Sequence, residues 1–338
     1  MGGRPRLQRV TGTRRTPSMR ILVTGASGFV GGALLRRLAD VPGVQAFGVA
    51  RRPLALPNYA ARDLSQPFEL PFRPDVVVHA AARVAPWGSP AQFRQQNVDT
   101  TAQVIEFCRR AGHPRLLLVS STAVFYQETH QHDLDEDSPI GPVFLNEYAR
   151  SKAEAERLLA RYDGPSCILR PRAVFGPGDT VLLPRLLAAA RRGGVPLLVS
   201  PGGPPRMDLI HIDTLVEYLL RAAQAPRLGP AYNLTNAAPV DLHALLQRLL
   251  AALQLPAPRR RVPTGLALRA ASVIEAGWRV LRLRSEPPVT RFGVAAFAYS
   301  KTFNPQRMLA DLGPPRVSLE DAIERFISEQ RAQWEALA

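Results

Sequence analysis

Three glycines, each separated from the next by two residues in T-G-A-S-G-F-V-G (24–31), constrain this 338-residue chain more than any other stretch. A β-type run, RILVTG (20–25), leads in. An amphipathic run, GFVGGALLRRLAD (28–40), leads out with Leu34, Leu35 and Leu38 on one helical face. A strand that turns at once into a helix needs backbone tolerant of unusual φ. The turn sets free N–H groups and the positive end of the helix dipole over the loop, which is a cradle for an anion. This strand–glycine–helix order opens dinucleotide-binding sheets. Gly25, Ser27, Gly28, Phe29, Val30 and Gly31 are the residues expected around a pyrophosphate.

The first half continues in the same idiom. VQAFGVA (44–50), a short strand ending near Asp63, DVVVHAA (75–81), RLLLVSS (115–121) and CILRP (167–171) alternate with helical stretches over 90–112 and 145–162. Strands alternating with helices predict βαβ units. The fold class expected is α/β, a Rossmann doubly wound parallel sheet with a smaller C-terminal α/β substrate-binding region. The division expected is a disordered Arg-rich tail at 1–18, a dinucleotide-binding domain at 19–175 and a substrate-binding region at 176–338. Part of the last region is expected to return to the sheet. PAPRRRVP (256–263) reads as a linker or loop, and 266–284 and 318–337 as helices.

The end of the second strand refines the cofactor. Sheets that bind NAD usually carry a carboxylate there for the ribose 2′-hydroxyl. This chain has Arg51 and Arg52, whose guanidinium groups suit a 2′-phosphate. NADP(H) is favoured, with NAD(H) the alternative.

Only two of the 43 Lys and Arg residues are lysine, Lys152 and Lys301. Lys152 lies four residues after Tyr148 in a helical stretch, so the two share a face. A phenol of pKa ~10 acts as a general acid–base when it is drawn toward neutrality, and a nearby ammonium does this. A shift of ~3 units corresponds to ~4 kcal/mol. A hydroxyl is expected beside the pair, at the C-terminal end of a central strand. Ser120, Ser121 and Thr122 all qualify.

Net charge is +15, but the arginines are scattered and no nucleic-acid motif accompanies them, so no nucleic-acid partner is expected. No run approaches the ~18 apolar residues of a membrane span. Cys108 and Cys167 lie in apolar stretches and read as reduced core residues of a cytoplasmic protein. Neither they nor the six histidines show ligand spacing, so no metal is expected.

These pieces, in this order, resemble the extended short-chain dehydrogenase/reductase (NAD-dependent epimerase/dehydratase) family. VVVHAAA (76–82), NVDTTAQVI (97–105), LRPRAVFGPGD (169–179), DLIHIDTLV (208–216) and AYNLTNAAPV (231–240) carry the likeness. AARVAPWGSPAQFRQQNV (81–98), GPGDTVLLPRLLAAARRG (176–193) and PPVTRFGVAAFAYSKTFNPQRMLADLG (287–313) are similar to its 3β-hydroxysteroid dehydrogenase branch, notably to bacterial 2-alkyl-3-oxoalkanoate (β-keto acid) reductases. The resemblance implies Tyr148 as acid–base with Lys152 as its partner. It implies Ser121 as the hydroxyl, with Thr122 in reserve, and Asn97 ordering the site. Asp63 and Leu64 would contact the adenine, Ala80, Ala81 and Ala82 would line the cofactor, and Arg170 and Pro171 would lie by the nicotinamide. Arg83 and Trp87 would meet the substrate.

The function expected is hydride transfer between a 3-oxo and a 3-hydroxy carbon on an apolar, lipidic small molecule. The alternatives are nucleotide-sugar epimerase/dehydratase chemistry and a non-catalytic NADP-binding regulator. In 266–284, Leu268, Ala271, Ile274 and Trp278 can share one face, with Arg269, Arg279, Arg282 and Arg284 adding charge. Such a helix either packs over the pocket or docks on a membrane surface or partner protein. A homodimer is compatible with the pattern.

Overall fold

The computed structural model describes residues 19–179, 183–191, 195–258, 260–283 and 285–335. The tail at 1–18 and Arg284 lie outside the described residues.

Seven strands form the central sheet: β1 (Met19–Thr24), β2 (Val44–Ala50), β3 (Tyr59–Ala61), β4 (Val76–His79), β5 (Arg115–Val119), β6 (Ser166–Pro171) and β7 (Ala231–Leu234). Their order is 3-2-1-4-5-6-7 and every pairing is parallel. The chain winds outward to β3, then restarts at β4 on the other side of β1. Between β1 and β4 the strand order reverses, so a crevice opens outside their carboxyl ends.

Side-chain parity explains why the strands read as continuous apolar runs. Ile21, Val23, Val76, Val78, Leu117 and Val119 point to one face, covered by α1 (Phe29–Ala39). Leu22, Val77, Leu116 and Leu118 point to the other, covered by α2 (Thr100–Arg110) and α3 (Glu147–Leu159). Both faces are buried, so no polar alternation is left. α4 (Ile212–Gln224) packs beside α1, and the helix Gln306–Leu312 joins the same layer through Met308 and Leu312.

A second core forms around Phe175, Leu246, Leu250, Ile323 and Phe326. The two halves interleave. The strand Gln131–Leu134, from the first half, joins a four-stranded sheet with Arg206–Met207, Val240–Asp241 and Lys301–Phe303. α4 and β7, from the second half, return to the main sheet.

Two local readings change, and a third holds with shifted ends. The long helix expected at 90–112 starts as a single turn, Pro90–Phe93, capped by Ser89, and passes through a π-helical segment, Arg94–Asp99, before α2. The loop at 256–263 ends as a strand, Arg261–Pro263, paired with Leu197–Val199. The helix Thr264–Val280 turns Leu268 and Ala271 inward, buries Glu275, and leaves Leu266, Val273 and Val280 exposed. No helix among the described residues is long and apolar enough to cross a membrane.

Candidate active site

The loop after β1 packs directly on the loop after β4 through Gly25, and folds back on itself at Gly31. Gly25 has φ +68°, and a Cβ there would lie 2.7 Å from the Ala81 nitrogen. A Cβ on Gly31 would lie 2.7 Å from the Gly25 carbonyl carbon. Gly28 is different: its Cβ would meet only the Gly25 oxygen, at 3.2 Å. Gly28 caps α1 without a side-chain hydrogen bond, and no acidic residue stands in the first turn. The first N–H groups of α1 therefore remain open to an anion, and the residues fit a dinucleotide pyrophosphate.

From this loop runs a cavity of about 1390 Å³, larger than a single small ligand needs. Ser27, Phe29, Val30, Asp63, Leu64, and Ala80 through Arg83 line one end. Arg51 and Arg52 stand exposed at the rim; Arg52 donates to the Ser27 carbonyl at 2.7 Å and Arg51 to Gln96 at 3.4 Å. The Ser65 amide and hydroxyl hold the Asp63 carboxyl below its usual range, with the Arg51 charge adding to the effect. The far end is apolar, formed by Leu197, Val262, Ile274, Val289, Phe292 and Phe297.

Tyr148, Lys152 and Ser121 meet between the two ends. Asn146 caps α3 through the Ala149 amide at 2.9 Å, which fixes where the helix begins and so where Tyr148 points. Burial pushes the Tyr148 phenol up to about 12, and a hydrogen bond with Ser121 opposes it. Lys152 is buried, with Nζ donating to the Val119 carbonyl at 2.8 Å. Burial lowers its ammonium to about 8, against the pull of Glu156. The expected lowering of the phenol by the lysine is not what this geometry produces. The phenol stays protonated and the lysine is the group near its titration point.

Asn97 does not line the cavity; it positions what does. From the π-helical segment its Oδ1 accepts from the Arg83 amide at 2.7 Å, and its Nδ2 donates to the Arg83 carbonyl at 3.2 Å and to Ser151 Oγ at 2.8 Å. Ser151 donates to the Tyr148 carbonyl at 2.8 Å. The loop after β4 is thus tied to the turn of α3 that carries Tyr148 and Lys152.

A second buried chain supports the first. Burial holds the His79 imidazole down at about 3, so it is neutral. Thr101 donates to the Asn97 carbonyl at 2.6 Å and so accepts from His79 Nε2 at 3.0 Å. His79 Nδ1 then accepts from Thr24 Oγ1 at 2.7 Å, and Thr24 accepts from the Ala81 amide at 3.1 Å. Each polar proton in this chain has an acceptor, and the bonds fix the His79 tautomer with its proton on Nε2.

Three expected residues fall elsewhere. Arg170 is buried in a two-pronged pair with Glu156, at 3.0 and 2.8 Å, and donates to the Glu136 carbonyl, so it braces β6 and does not line the cavity as Pro171 does. Thr122 is buried against Tyr126 and the Pro171 carbonyl; Ser120 borders the cavity but its Oγ donates to Glu156 at 2.5 Å, which leaves Ser121 as the cavity hydroxyl not committed to a carboxylate. Trp87 stands outside the lining, under the Arg279 guanidinium at 5.0 Å. Sequence reasoning missed Ser151 and His79, which position the site, and Tyr126 and Arg172, which line the cavity. Only His79 left a signal, as a lone polar residue inside the apolar run VVVHAA.

Residues 21–238 match the NAD dependent epimerase/dehydratase family. The chain is 34% identical over 339 residues to a 2-alkyl-3-oxoalkanoate reductase of Stenotrophomonas maltophilia, covering 93% of this chain and 100% of that one. It is 28% identical over 270 residues to 3beta-hydroxysteroid-dehydrogenase/decarboxylase isoform 1 of Arabidopsis thaliana, covering 75% of this chain and 61% of that one. The fold is shared with a UDP-glucuronic acid 4-epimerase from Bacillus cereus in complex with NAD (TM-score 0.67, 19% identity, 92% and 99% covered). It is also shared with RMD from Pseudomonas aeruginosa complexed with NADPH (TM-score 0.65, 20% identity, 93% and 99% covered).

Proposed function

The chain belongs to the NAD-dependent epimerase/dehydratase family, and from that membership we propose that it is an oxidoreductase, favouring NADP(H), that interconverts a 3-oxo and a 3-hydroxy group on an apolar small molecule. One observation carries the reading. Tyr148, Ser121 and Lys152 line a single cavity that the glycine loop and an apolar wall also line, with Ser121 near enough to draw the phenol pKa down.

When bound, the nicotinamide dinucleotide supplies or accepts the hydride. Gly25 through Gly31 and the open N–H groups of α1 hold its pyrophosphate, Arg51 and Arg52 take the 2′-phosphate, and Asp63 and Leu64 face the adenine. Lys152 and Pro171 border the nicotinamide side. Ser121 Oγ and Tyr148 Oη hold the substrate oxygen. Tyr148 Oη then gives its proton to that oxygen during reduction and takes one back during oxidation. With the phenol raised to about 12 by burial, Tyr148 carries its proton in the resting site. Residues 19–175 together with α4 and β7 form the dinucleotide half. The remainder of 176–338, with the helix Thr264–Val280 packed over the cavity through Ile274, walls the apolar group.

Tyr148→Phe tests the reading. Loss of the proton donor lowers turnover by roughly 10²–10⁴, while NADPH binding, followed by its fluorescence, changes little. Full activity in that variant sinks the mechanism. A panel of β-keto acids, 3-ketosteroids and nucleotide sugars with NADPH and NADH separates the reductase from an epimerase.

A further inference from the structure

The helix Thr264–Val280 is apolar on two sides, and only one of them is covered. On the inner side Ala267 and Ile274 line the cavity, while Leu268 and Ala271 pack with Val294 and Ala298. The outer side carries Leu266, Arg269, Val273, Ala276 and Val280, each three or four residues after the last and all exposed. Leu266, Val273 and Val280 are 61%, 73% and 80% exposed, and Leu281 and Leu283 extend the patch at 68% and 41%. A helix that is hydrophobic all round is ordinarily buried all round. A contiguous apolar patch with a charged margin marks an interaction surface.

Charge identifies what covers it. Arg260, Arg261, Arg269, Arg279 and Arg282 all stand exposed in and around this helix. Residues 260–290 hold only two acids, Glu275 and Glu286. Glu275 is 7% exposed, and its oxygens accept from the Arg291 amide at 2.8 Å and from Arg279 at 3.2 Å. Glu286 alone is exposed. The face is thus apolar along its middle and basic at its margins. A second copy of this chain, docked there about a twofold axis, would set arginine against arginine. A bilayer containing anionic lipid supplies both things the face lacks, hydrocarbon for the leucines and valines and phosphate for the guanidinium groups.

Position agrees with this occupant. Val262, Ile274 and Val289 belong to the apolar end of the cavity, and Val289 is 42% exposed, so that end reaches the surface beside the helix. We propose that the outer face of Thr264–Val280, continued by Leu281 and Leu283, docks on the surface of an anionic phospholipid bilayer and sets the apolar end of the cavity against it. No helix here is long and apolar enough to cross the bilayer, so the contact is one of lying on the membrane. The docking stands on the surface itself and does not depend on the reductase reading.

Flotation of the full chain with vesicles tests it, using phosphatidylcholine alone and phosphatidylcholine mixed with phosphatidylglycerol. The native protein should float with the mixed vesicles and not with phosphatidylcholine alone. V273D removes one buried valine from the contact and should lower partition by about 10-fold. R269E/R282E should lower it by roughly 25-fold or more, at about 5-fold for each arginine near an anionic surface. R73E/R227E changes the net charge equally, at exposed sites before β4 and β7, the end of the sheet away from the crevice. That pair should float as the native protein does. Thermal unfolding checks that each variant is folded, and should V273D not fold, the two arginine pairs decide. A native protein that does not float overturns the proposal, as does equal flotation with both vesicles. Equal loss in the two arginine pairs also overturns it, because net charge alone would then be at work. A native protein that stays off vesicles and sediments as a dimer broken by V273D gives the face to a second copy instead.

Discussion

Replacing Asn97 with alanine removes three side-chain hydrogen bonds, two to the Arg83 backbone and one to Ser151. At about 1 kcal/mol each, the loss is roughly 3 kcal/mol, and more if the freed groups stay dry. The π-helical segment should survive, because Thr101 and His79 hold it through the Asn97 backbone carbonyl, which the substitution leaves in place. For a chain of this size the melting temperature should fall by on the order of 5 °C. Activity should suffer more than stability. Ser151 connects Asn97 to the Tyr148 carbonyl, so its loss frees the turn that aims the phenol. A displacement near 1 Å costs about 10²-fold in rate, which sets an expected fall in kcat of about 10- to 100-fold. Ser151→Ala should do the same, and the double variant should be no worse than the poorer single one, since both cut one link. Steady-state kinetics and thermal unfolding on the three variants are sufficient. A fall in melting temperature with kcat unchanged would refute the positioning argument and leave Asn97 as a packing residue.

The pH profile should report Lys152 rather than Tyr148. Its ammonium is lowered from 10.5 to about 8, so the cation is lost as pH rises through about 8, while the phenol near 12 keeps its proton throughout. kcat/KM for reduction should fall above about pH 8, and a profile level to pH 10 would contradict this. Arg51→Ala should weaken NADPH binding by about 10- to 100-fold and leave NADH within about 3-fold. Equal loss for both cofactors would mean that Arg51 supports the loop and does not read the 2′-phosphate. Arg52 is the less clean probe, because it also holds the Ser27 carbonyl.

The glycine loop and the sheet strands were legible in the sequence because their physics is local. A strand buried on both faces must be apolar throughout, and a glycine pressed on a neighbouring loop admits no other residue. The tyrosine and lysine were legible because helical spacing puts them on one face. Asn97 could be placed only by resemblance, since nothing in RQQNVD announces a π-helical segment. Arg170 and Arg172 show the harder limit. Two residues apart on a strand they would share a face, which would give both one environment. But β6 ends at Pro171, and Ala173 turns with φ +43°, so the parity breaks between them. Arg170 keeps its place against α3, and Arg172 reaches the cavity. The strand's endpoint decides this, and it is set by pairing with β5 and β7, far away in sequence.

The scarcity of lysine has a physical reason that the phenol alone does not supply. Lys152 and Lys301 are 4% and 0% exposed, and each sends Nζ to a backbone carbonyl, at 2.8 and 2.6 Å. A buried position that offers one or two backbone carbonyls and no carboxylate suits a compact ammonium on a flexible stem. A guanidinium there would bring five N–H donors in a rigid fork and leave most of them unpaired. Arginine is affordable inside this protein only where a carboxylate meets the fork, as Glu156 meets Arg170. Arg172 meets the same need in a looser way: its guanidinium lies 5.1 Å from the centre of the Tyr126 ring, and its charge is felt by the buried carboxyl of Asp208.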